Sequence, residues 1–167
     1  MIQSETYEVQ DCLLYNTNEI RPTASYSSYL SRILSTFSFD GSIDYEVEMD
    51  FAISSGGGGF SIAPINNPTH TRHIAFGYNV NQISAYWGNN TATNESSQRH
   101  SKTPTWNTWE HWKITKIGSD FNWDRNNGAD TFSTTASWLG TYGQMGLYFY
   151  KWESPAMVVK NIKVKPL

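Results

Sequence analysis

The chain has 167 residues, a formal net charge of −3 at pH 7 and a single cysteine, Cys12. This length fits one domain, and one cysteine excludes an internal disulfide and predicts a small packed side chain. The slightly acidic charge gives no electrostatic basis for nucleic-acid binding, and no apolar run is long enough to be inserted across a membrane.

Charged residues make up only 16% of the chain, while aromatic residues reach 15%, with seven Trp and ten Tyr. Globular proteins usually carry about a quarter charged residues, so Ser, Thr and Asn supply the missing polarity here. Such a surface is typical of proteins that meet neutral, hydroxyl-rich partners. Composition alone nevertheless favours the simpler interpretation of a β-sandwich core with a solvated surface.

Alternation with a period of two residues predicts strands in the first half of the chain. Residues 7–15 form a first strand with Val9 and Leu13 inward, 16–32 a loop, and 33–39 a second strand. The cleanest alternation is IDYEVEMDFAIS. One face of that strand takes Tyr45, Val47, Met49 and Phe51, and the other takes Asp44, Glu46, Glu48 and Asp50. The glycine run at 56–59 predicts a flexible turn before a short strand at 60–65.

Residues 73–80 and 82–87 are predicted to form a hairpin, followed by a long polar loop at 88–105, a length that is often functional. The central segment at 106–128, WNTWEHWKITKIGSDFNWDRNNG, contains two aromatic and β-branched runs separated by Gly118-Ser119. Glycine and asparagine tolerate positive φ, so the segment reads as strand, turn, strand, turn. Trp112 and Ile114 share one face, and Lys113 and Thr115 share the other.

Three more strands are predicted at 131–137, 144–152 and 158–165, with a loop at 138–143. No helical periodicity lasts beyond a turn or two. Ten to twelve short strands with irregular loop lengths predict a single all-β domain over residues 1–167, a two-sheet antiparallel β-sandwich.

Four segments in this order, FSFDGSIDYEVEMDF, WNTWEHWKITKIGSDFNWDRNNG, GQMGLYFY and VVKNIKVKPL, resemble the concanavalin A-like lectin/glucanase superfamily. In those jelly rolls an alternating early strand precedes a Trp-containing hairpin, a "g.iGl" strand and a last strand reading "v.Ni.v". The resemblance covers most of the chain from Ile33 onward and implies a concanavalin A-like jelly roll. Laminin-G-like, carbohydrate-binding and viral attachment modules share these motifs, which therefore indicate fold more than function.

Laminarinase-type glycosidases of this superfamily use an E-x-D-x-E strand with one carboxylate as nucleophile and another as acid/base. Glu46, Glu48 and Asp50 do not match that pattern residue for residue, and their strand falls where those enzymes place an early framework strand. A solvated sheet face is the favoured interpretation. The chain also lacks a Cys-His pair and a GxSxG elbow, so nucleophilic hydrolysis has no support.

Asp124, Asn126, Gly128 and Asp130 place oxygen ligands around a glycine, as a Ca²⁺ loop can. A hairpin turn in which Asp and Asn bond to their own backbone explains the same residues. The bidentate Glu that an EF-hand requires is also missing. The prediction is therefore no cofactor and no metal, with Ca²⁺ as the alternative.

Aromatic and polar side chains surround the predicted loop, where indoles can stack on a pyranose while amides and Arg bond its hydroxyls. Core packing is favoured for Trp109, Trp112 and Trp123, whereas exposure is equally plausible for Trp87, Trp106 and Trp138. The predicted ligand-binding set is Tyr86, Trp87, Asn89, Asn90, Arg99, His100 and Trp106, joined by Trp138 and Tyr142.

These observations predict a non-catalytic, lectin-like module whose partner is a glycan or polysaccharide and which attaches to cell-surface glycans. The alternative is a structural or decoration subunit of a virion or surface assembly, as a homo-oligomer or with virion proteins. An endo-glycosidase is disfavoured. The N-terminus has no signal-peptide character, so the protein acts where it is made, leaves by lysis or assembly, or has been trimmed. The predicted location is extracellular or on a virion surface.

Overall fold

A computed structural model describes residues 7–9, 12–15, 19–22, 33–35, 38–65, 72–79, 82–89, 95–100, 105–128, 130–136, 143–152 and 157–167. The strands in these ranges are β1 (Tyr7–Val9), β2 (Cys12–Tyr15), β3 (Glu19–Pro22), β4 (Ile33–Ser35), β5 (Phe39–Asp40), β6 (Tyr45–Ile53), β7 (Gly57–Pro64), β8 (Arg72–Asn79), β9 (Gln82–Asn89), β10 (Glu95–His100), β11 (Glu110–Ile117), β12 (Asp120–Arg125), β13 (Asp130–Thr135), β14 (Gln144–Trp152) and β15 (Met157–Pro166). The described ranges contain no helix capable of spanning a membrane.

The described strands form two large antiparallel sheets and one small one. The six-stranded sheet has the order β10-β9-β8-β7-β14-β5, and the seven-stranded sheet has the order β13-β12-β11-β6-β15-β3-β2. β1 and β4 pair separately. The predicted all-β, two-sheet antiparallel sandwich is thus confirmed, and the long-range pairing of β6 with both β11 and β15 places this strand in the middle of the seven-stranded sheet.

The core lies between the inner faces of the two large sheets. The alternation predicted for β6 is confirmed, because Tyr45, Val47, Met49 and Phe51 are buried. Aromatic rings fill much of the layer, and the rings of Phe51 and Trp112 stack with their centroids 4.1 Å apart. Each such large apolar side chain contributes roughly 1.5–3 kcal/mol when it is fully buried.

A polar network crosses the core at one end of β11. The carboxylate of Glu110 accepts hydrogen bonds from the Tyr78 hydroxyl, from Trp112 Nε1 at 2.9 Å and from Arg125 Nε at 3.1 Å. Arg125 Nη2 also lies 2.5 Å from Glu110 Oε1, and its Nη1 lies 3.2 Å from Asp130 Oδ2. Burial alone would raise the pKa of Glu110, but these donors hold it below its ordinary value. The network joins β8 of one sheet to β11 and β12 of the other.

The central hairpin forms as predicted, with β11 and β12 on either side of Gly118-Ser119. Gly118 has a φ of 57°, and the second turn contains Asn126, Asn127 and Gly128 with φ values of 53°, 56° and 92°. These are left-handed conformations, which Gly and Asn adopt at the least cost. Both turn predictions are therefore confirmed.

The glycine run was predicted as a flexible turn, and this prediction is wrong for residues 57–59. They begin β7, where they are buried between β8 and β14. A Cβ atom built on Gly59 would lie 2.0 Å from the carbonyl oxygen of Phe76. Glycine is therefore required by the close approach of two backbones rather than by a turn.

The predicted loop at 88–105 is also wrong in its middle. β9 continues through Asn89, and Glu95–His100 form β10, which pairs with β9 along its whole length. Polar residues are tolerated in β10 because it is the edge strand of its sheet among the described residues. Near the N-terminus the predicted single strand at 7–15 corresponds to two strands of different sheets, β1 and β2, and β3 lies inside the predicted loop at 16–32.

Candidate functional site

Five strands of the seven-stranded sheet present a polar outer face. Directly opposed residues of neighbouring strands share a face, so the register defines rows of side chains across it. One row runs through Thr131, Asp124, Lys113, Glu48 and Lys163. The next row runs through Ser133, Asn122, Thr115, Glu46 and Lys165. This surface, called here the outer face, alternates charged and neutral polar groups.

Trp109 is the exposed indole of the outer face. It is 42% exposed, so the prediction that it packs in the core is wrong. The two-residue alternation would have placed it correctly. Trp109 is an even number of residues from His111 and Lys113 and so shares their face, whereas Trp112 belongs to the opposite face and is buried. Lys160 Nζ lies 3.9 Å from the centroid of the Trp109 ring.

The segment before Trp109 is held in place by local bonds. Asn107 adopts a left-handed φ of 56° and donates its backbone N–H to the carbonyl oxygen of Ile53 at 2.9 Å. Thr108 Oγ1 donates to the carbonyl oxygen of Trp106 at 3.2 Å. Trp106 itself packs edge-on against Tyr78, with centroids 5.6 Å apart. The turn is thus anchored on one side to the core and presents Trp109 on the other.

Asp50 organises the surface next to Trp109. Its Oδ1 lies 3.0 Å from Nδ1 of His111, and its Oδ2 accepts a 2.6 Å hydrogen bond from Nδ2 of Asn161. Partial burial would raise the pKa of Asp50, but these two partners hold it below its ordinary value. Asn161 reaches Asp50 from an irregularity of β15 between Lys160 and Lys163, where its φ is 54°. Bulges of this kind commonly redirect a side chain toward a functional surface.

A groove of about 750 Å³ lies at the opposite end of β11. The described residues that line it are Thr115, Ile117, Asp120, Phe121, Asn122, Ser133, Thr134 and Thr135. Ser133 Oγ donates to Asn122 Oδ1 at 3.1 Å, and Thr135 Oγ1 donates to Asp120 Oδ1 at 2.7 Å. The groove therefore offers hydroxyl and amide groups in a pre-formed hydrogen-bonded arrangement, together with the exposed apolar side chain of Ile117.

The predicted ligand-binding set lies mostly elsewhere. Tyr86, Trp87 and Asn89 are on β9, and Arg99 and His100 are on β10, with the backbone register bringing Tyr86 opposite Ser97. The other members fall into two groups: Asn90, Trp138 and Tyr142 lie outside the described residues, and Trp106 is partly buried against the core. Ligand binding by this set stays a prediction.

The predicted carboxylate strand is confirmed as lying on the outer face. Lys165 Nζ lies 2.5 Å from Glu46 Oε1 and 3.4 Å from Glu48 Oε1. Desolvation would raise the pKa of Glu46, but the Lys165 ammonium holds it below its ordinary value. A general acid needs a raised pKa, so neither Glu46 nor Asp50 is suited to that role.

The residues considered for Ca²⁺ make other contacts. Asp124 Oδ1 accepts a 2.5 Å hydrogen bond from the Gly128 backbone, and Asn126 Oδ1 accepts one of 3.1 Å from the backbone of His111. Asp130 pairs with Arg125. Across the ranges that the structure describes, no three His, Cys, Asp or Glu side chains are close enough together to hold a metal ion.

No protein-family model and no curated protein sequence matches this chain. Solved structures do. The carbohydrate-binding module CBM66 from Bacillus subtilis is similar, with a TM-score of 0.64 and 15% identity, covering 97% of this chain and 92% of that one. Chicken galectin 2 has a TM-score of 0.56 and 13% identity, covering 77% and 98%. An alginate lyase, A1-II′, has a TM-score of 0.54 and 12% identity, covering 89% and 70%.

Identities of this size show a shared fold alone. The neighbours are jelly-roll sandwiches, so the predicted concanavalin A-like fold is confirmed. Their names include a binding module and a lyase, and the shared architecture therefore leaves function to the chemistry of the site.

Proposed function

We propose that this protein is a non-catalytic carbohydrate-binding module that holds a glycan against the outer face of its seven-stranded sheet. The observation that carries the proposal is the combination, on one face, of an exposed and anchored indole, Trp109, with a pre-formed groove of hydroxyl and amide groups. Sugars have apolar C–H faces and a rim of hydroxyls, and sites that combine an aromatic surface with placed polar groups recognise both.

Trp109 is suited to stacking because the turn that carries it is already ordered. Asn107 bonds to Ile53 at the end of β6, and Thr108 bonds within the turn to Trp106, so ligand binding does not have to order this backbone. Weak ligands such as sugars benefit from this, since ordering flexible groups on binding costs about 0.5–1.5 kcal/mol per side chain.

The groove is suited to hydroxyl recognition. Ser133 donates its one hydroxyl hydrogen to Asn122 Oδ1, which leaves the amide N–H groups of Asn122 as donors and the Ser133 oxygen as an acceptor for a ligand. Ile117, which is exposed in the same groove, can cover an apolar patch of a sugar ring.

The absence of catalysis in this proposal is supported by the state of the carboxylates. Glu46 is paired with Lys165, and Asp50 is held by His111 and Asn161, so both favour the ionised form. Hydrolysis of a glycoside needs one carboxyl that stays protonated to donate to the leaving oxygen. We extend the proposal to attachment: a domain that binds without cleaving would tether its carrier, outside a cell or on a virion surface, to a glycan-bearing surface.

A glycan array of neutral and acidic oligosaccharides tests the proposal, followed by titration of the best binder with wild type and Trp109→Ala. Loss of the stacking surface should weaken binding by about threefold to tenfold. Asn122→Ala should also weaken it, because the amide is one of the groove's hydrogen-bonding groups.

Gln144→Ala is the matched control for Asn122→Ala, since it truncates an exposed amide side chain on β14 of the six-stranded sheet and should leave affinity unchanged. Absence of any glycan signal for wild type would refute carbohydrate binding. Binding that is insensitive to both Trp109→Ala and Asn122→Ala would refute the outer face as the site and return attention to β9 and β10.

A further inference from the structure

On the outer face the carboxylates have partners within the protein, whereas most of the lysines have no carboxylate partner among the described residues. All five of its carboxylates have a partner within the protein. Glu46 and Glu48 form ion pairs with Lys165. Asp50 bonds to His111 and Asn161, Asp120 to Thr135, and Asp124 to the backbone of Gly128. Each carboxylate is therefore already engaged within the protein before any ligand arrives.

The lysines of the same face differ. Lys165 is used by the glutamates, but Lys113, Lys160 and Lys163 have no carboxylate within 4 Å in the part of the chain that the structure describes. Lys160 is the clearest case. It lies directly opposite Asp50 in the register, but the Asp50 oxygens are bonded by His111 and Asn161, and the Lys160 ammonium rests on the Trp109 ring and acts on Asp50 only through space.

The three lysines lie in two neighbouring rows of the sheet. Lys113 and Lys163 lie on either side of Glu48 in one row, so their Cα atoms are separated by two strand spacings, about 10 Å. Lys160 belongs to the neighbouring row, that of Asp50 and His111. All three are thus available at the end of the outer face that carries Trp109, whereas the groove end carries Asp120 and no lysine among its described lining residues.

We propose that the glycan bound by the outer face is an acidic polysaccharide, a chain of sugars that carry carboxylates. The proposal rests on the carbohydrate-binding function proposed above and specifies its ligand class. Lys160 moves from the Trp109 ring to pair with the carboxylate of one acidic sugar, and that sugar stacks on the uncovered indole. A further carboxylate along the chain meets Lys113 or Lys163, and the groove takes a sugar presented through its hydroxyls.

A nucleic acid also combines negative charge with rings that stack, but it fits this face less well. Double-stranded DNA carries one charge per about 1.7 Å, and its binding depends on many phosphate contacts from Lys and Arg. The outer face holds five carboxylates among its four lysines, which would repel so dense a charge. A polyuronate carries only one charge per sugar, and its carboxylates can be placed between those of the protein.

The test compares two equivalent charge removals, Lys160→Gln and Lys165→Gln. Each is titrated with an oligogalacturonate and with the same oligomer after its carboxyls have been reduced to alcohols. Wild type should bind the acidic oligomer more tightly, and Lys160→Gln should weaken that binding by about tenfold, the value expected for one charge-assisted hydrogen bond. Lys165→Gln, whose ammonium is already paired, should change it less than twofold.

Several outcomes would overturn the inference. Equal binding of the acidic and reduced oligomers would remove the acidic preference and leave carbohydrate binding intact. Equal losses in the two variants would show a general effect of charge rather than a role for Lys160. Tighter binding of a single-stranded oligonucleotide than of the oligogalacturonate would replace the ligand class. Binding of neither oligomer, with no signal on the glycan array, would remove the inference together with the proposed function.

Discussion

Replacing Arg125 with methionine should strongly destabilise the protein. The guanidinium is 2% exposed and donates to Glu110 through two nitrogens, at 3.1 Å and 2.5 Å. Methionine fills a similar volume but provides no donor, so the Glu110 carboxylate would stay buried with only Tyr78 and Trp112 as partners. Removing one member of a buried ion pair costs about 3–5 kcal/mol.

That cost is a large part of the stability of a domain, which is typically about 5–15 kcal/mol. With a urea dependence of about 2 kcal/mol per M, the unfolding midpoint should fall by roughly 2 M. For a chain of this length, each kcal/mol lowers the melting temperature by about 2–4 °C. Urea titration followed by tryptophan fluorescence measures the change, because Trp112 and Trp123 are buried in the same core.

The double variant Arg125→Met with Glu110→Leu is the informative control. It removes the carboxylate that the single variant leaves unpaired, so it should recover part of the lost stability. Recovery should be incomplete, because the Tyr78 hydroxyl and Trp112 Nε1 lose the acceptor that Glu110 provides. A single variant within about 1 kcal/mol of wild type would refute the reasoning, since it would show that Glu110 is solvated or protonated when its partner is absent.

Two further effects are expected. Gly59→Ala should unfold the protein or destabilise it severely in thermal melts, because the added Cβ would lie 2.0 Å from the Phe76 carbonyl oxygen. Gly143→Ala should be nearly neutral, because nothing lies within 4 Å of the new atom. Equal effects of the two substitutions would refute the close approach. The pKa of Glu110 lies below its ordinary value in the folded state, so its contribution to stability should be full above about pH 4.3, the unfolded value, and lost as the pH falls further. Urea titrations at pH 7 and pH 3 should show a smaller loss of stability for Glu110→Gln than for wild type, and equal losses would contradict the assignment.

The fold was largely predictable because period-two alternation reports directly on burial. β6 and β11 face the core with the residues expected, and the turns at Gly118 and Gly128 fall where the sequence places them. Predictions from local composition were wrong where pairing with another strand determines the structure. A glycine run reads as a turn unless one knows that β8 passes close to Gly59, and the polar segment that forms β10 reads as a loop unless one knows that β9 is available to pair with it.

The site was less predictable because it lies on a sheet face, whereas the polar and aromatic residues around 88–105 indicated a loop site. Trp109 was assigned to the core by residue type, although its parity with His111 placed it outside. The contacts of Asp50 could not be derived from sequence at all. They depend on β15 pairing with β6 from more than 100 residues away and on the irregularity that turns Asn161 toward the carboxylate.

The buried network and the exposed face meet at two adjacent residues, Trp109 and the first residue of β11, Glu110. Glu110 points inward and is fixed by Arg125, Tyr78 and Trp112, so the backbone on which Trp109 sits is held from the core side. The turn before it is held from the other end by Asn107. Sugar binding gains little energy from each contact, and affinity therefore depends on how little must be ordered when the ligand arrives. Because Arg125 holds Glu110 and thereby the backbone of Trp109, Arg125→Met should weaken glycan binding even under conditions where the variant remains folded. A loss of stability with unchanged affinity would show that the turn alone orders Trp109.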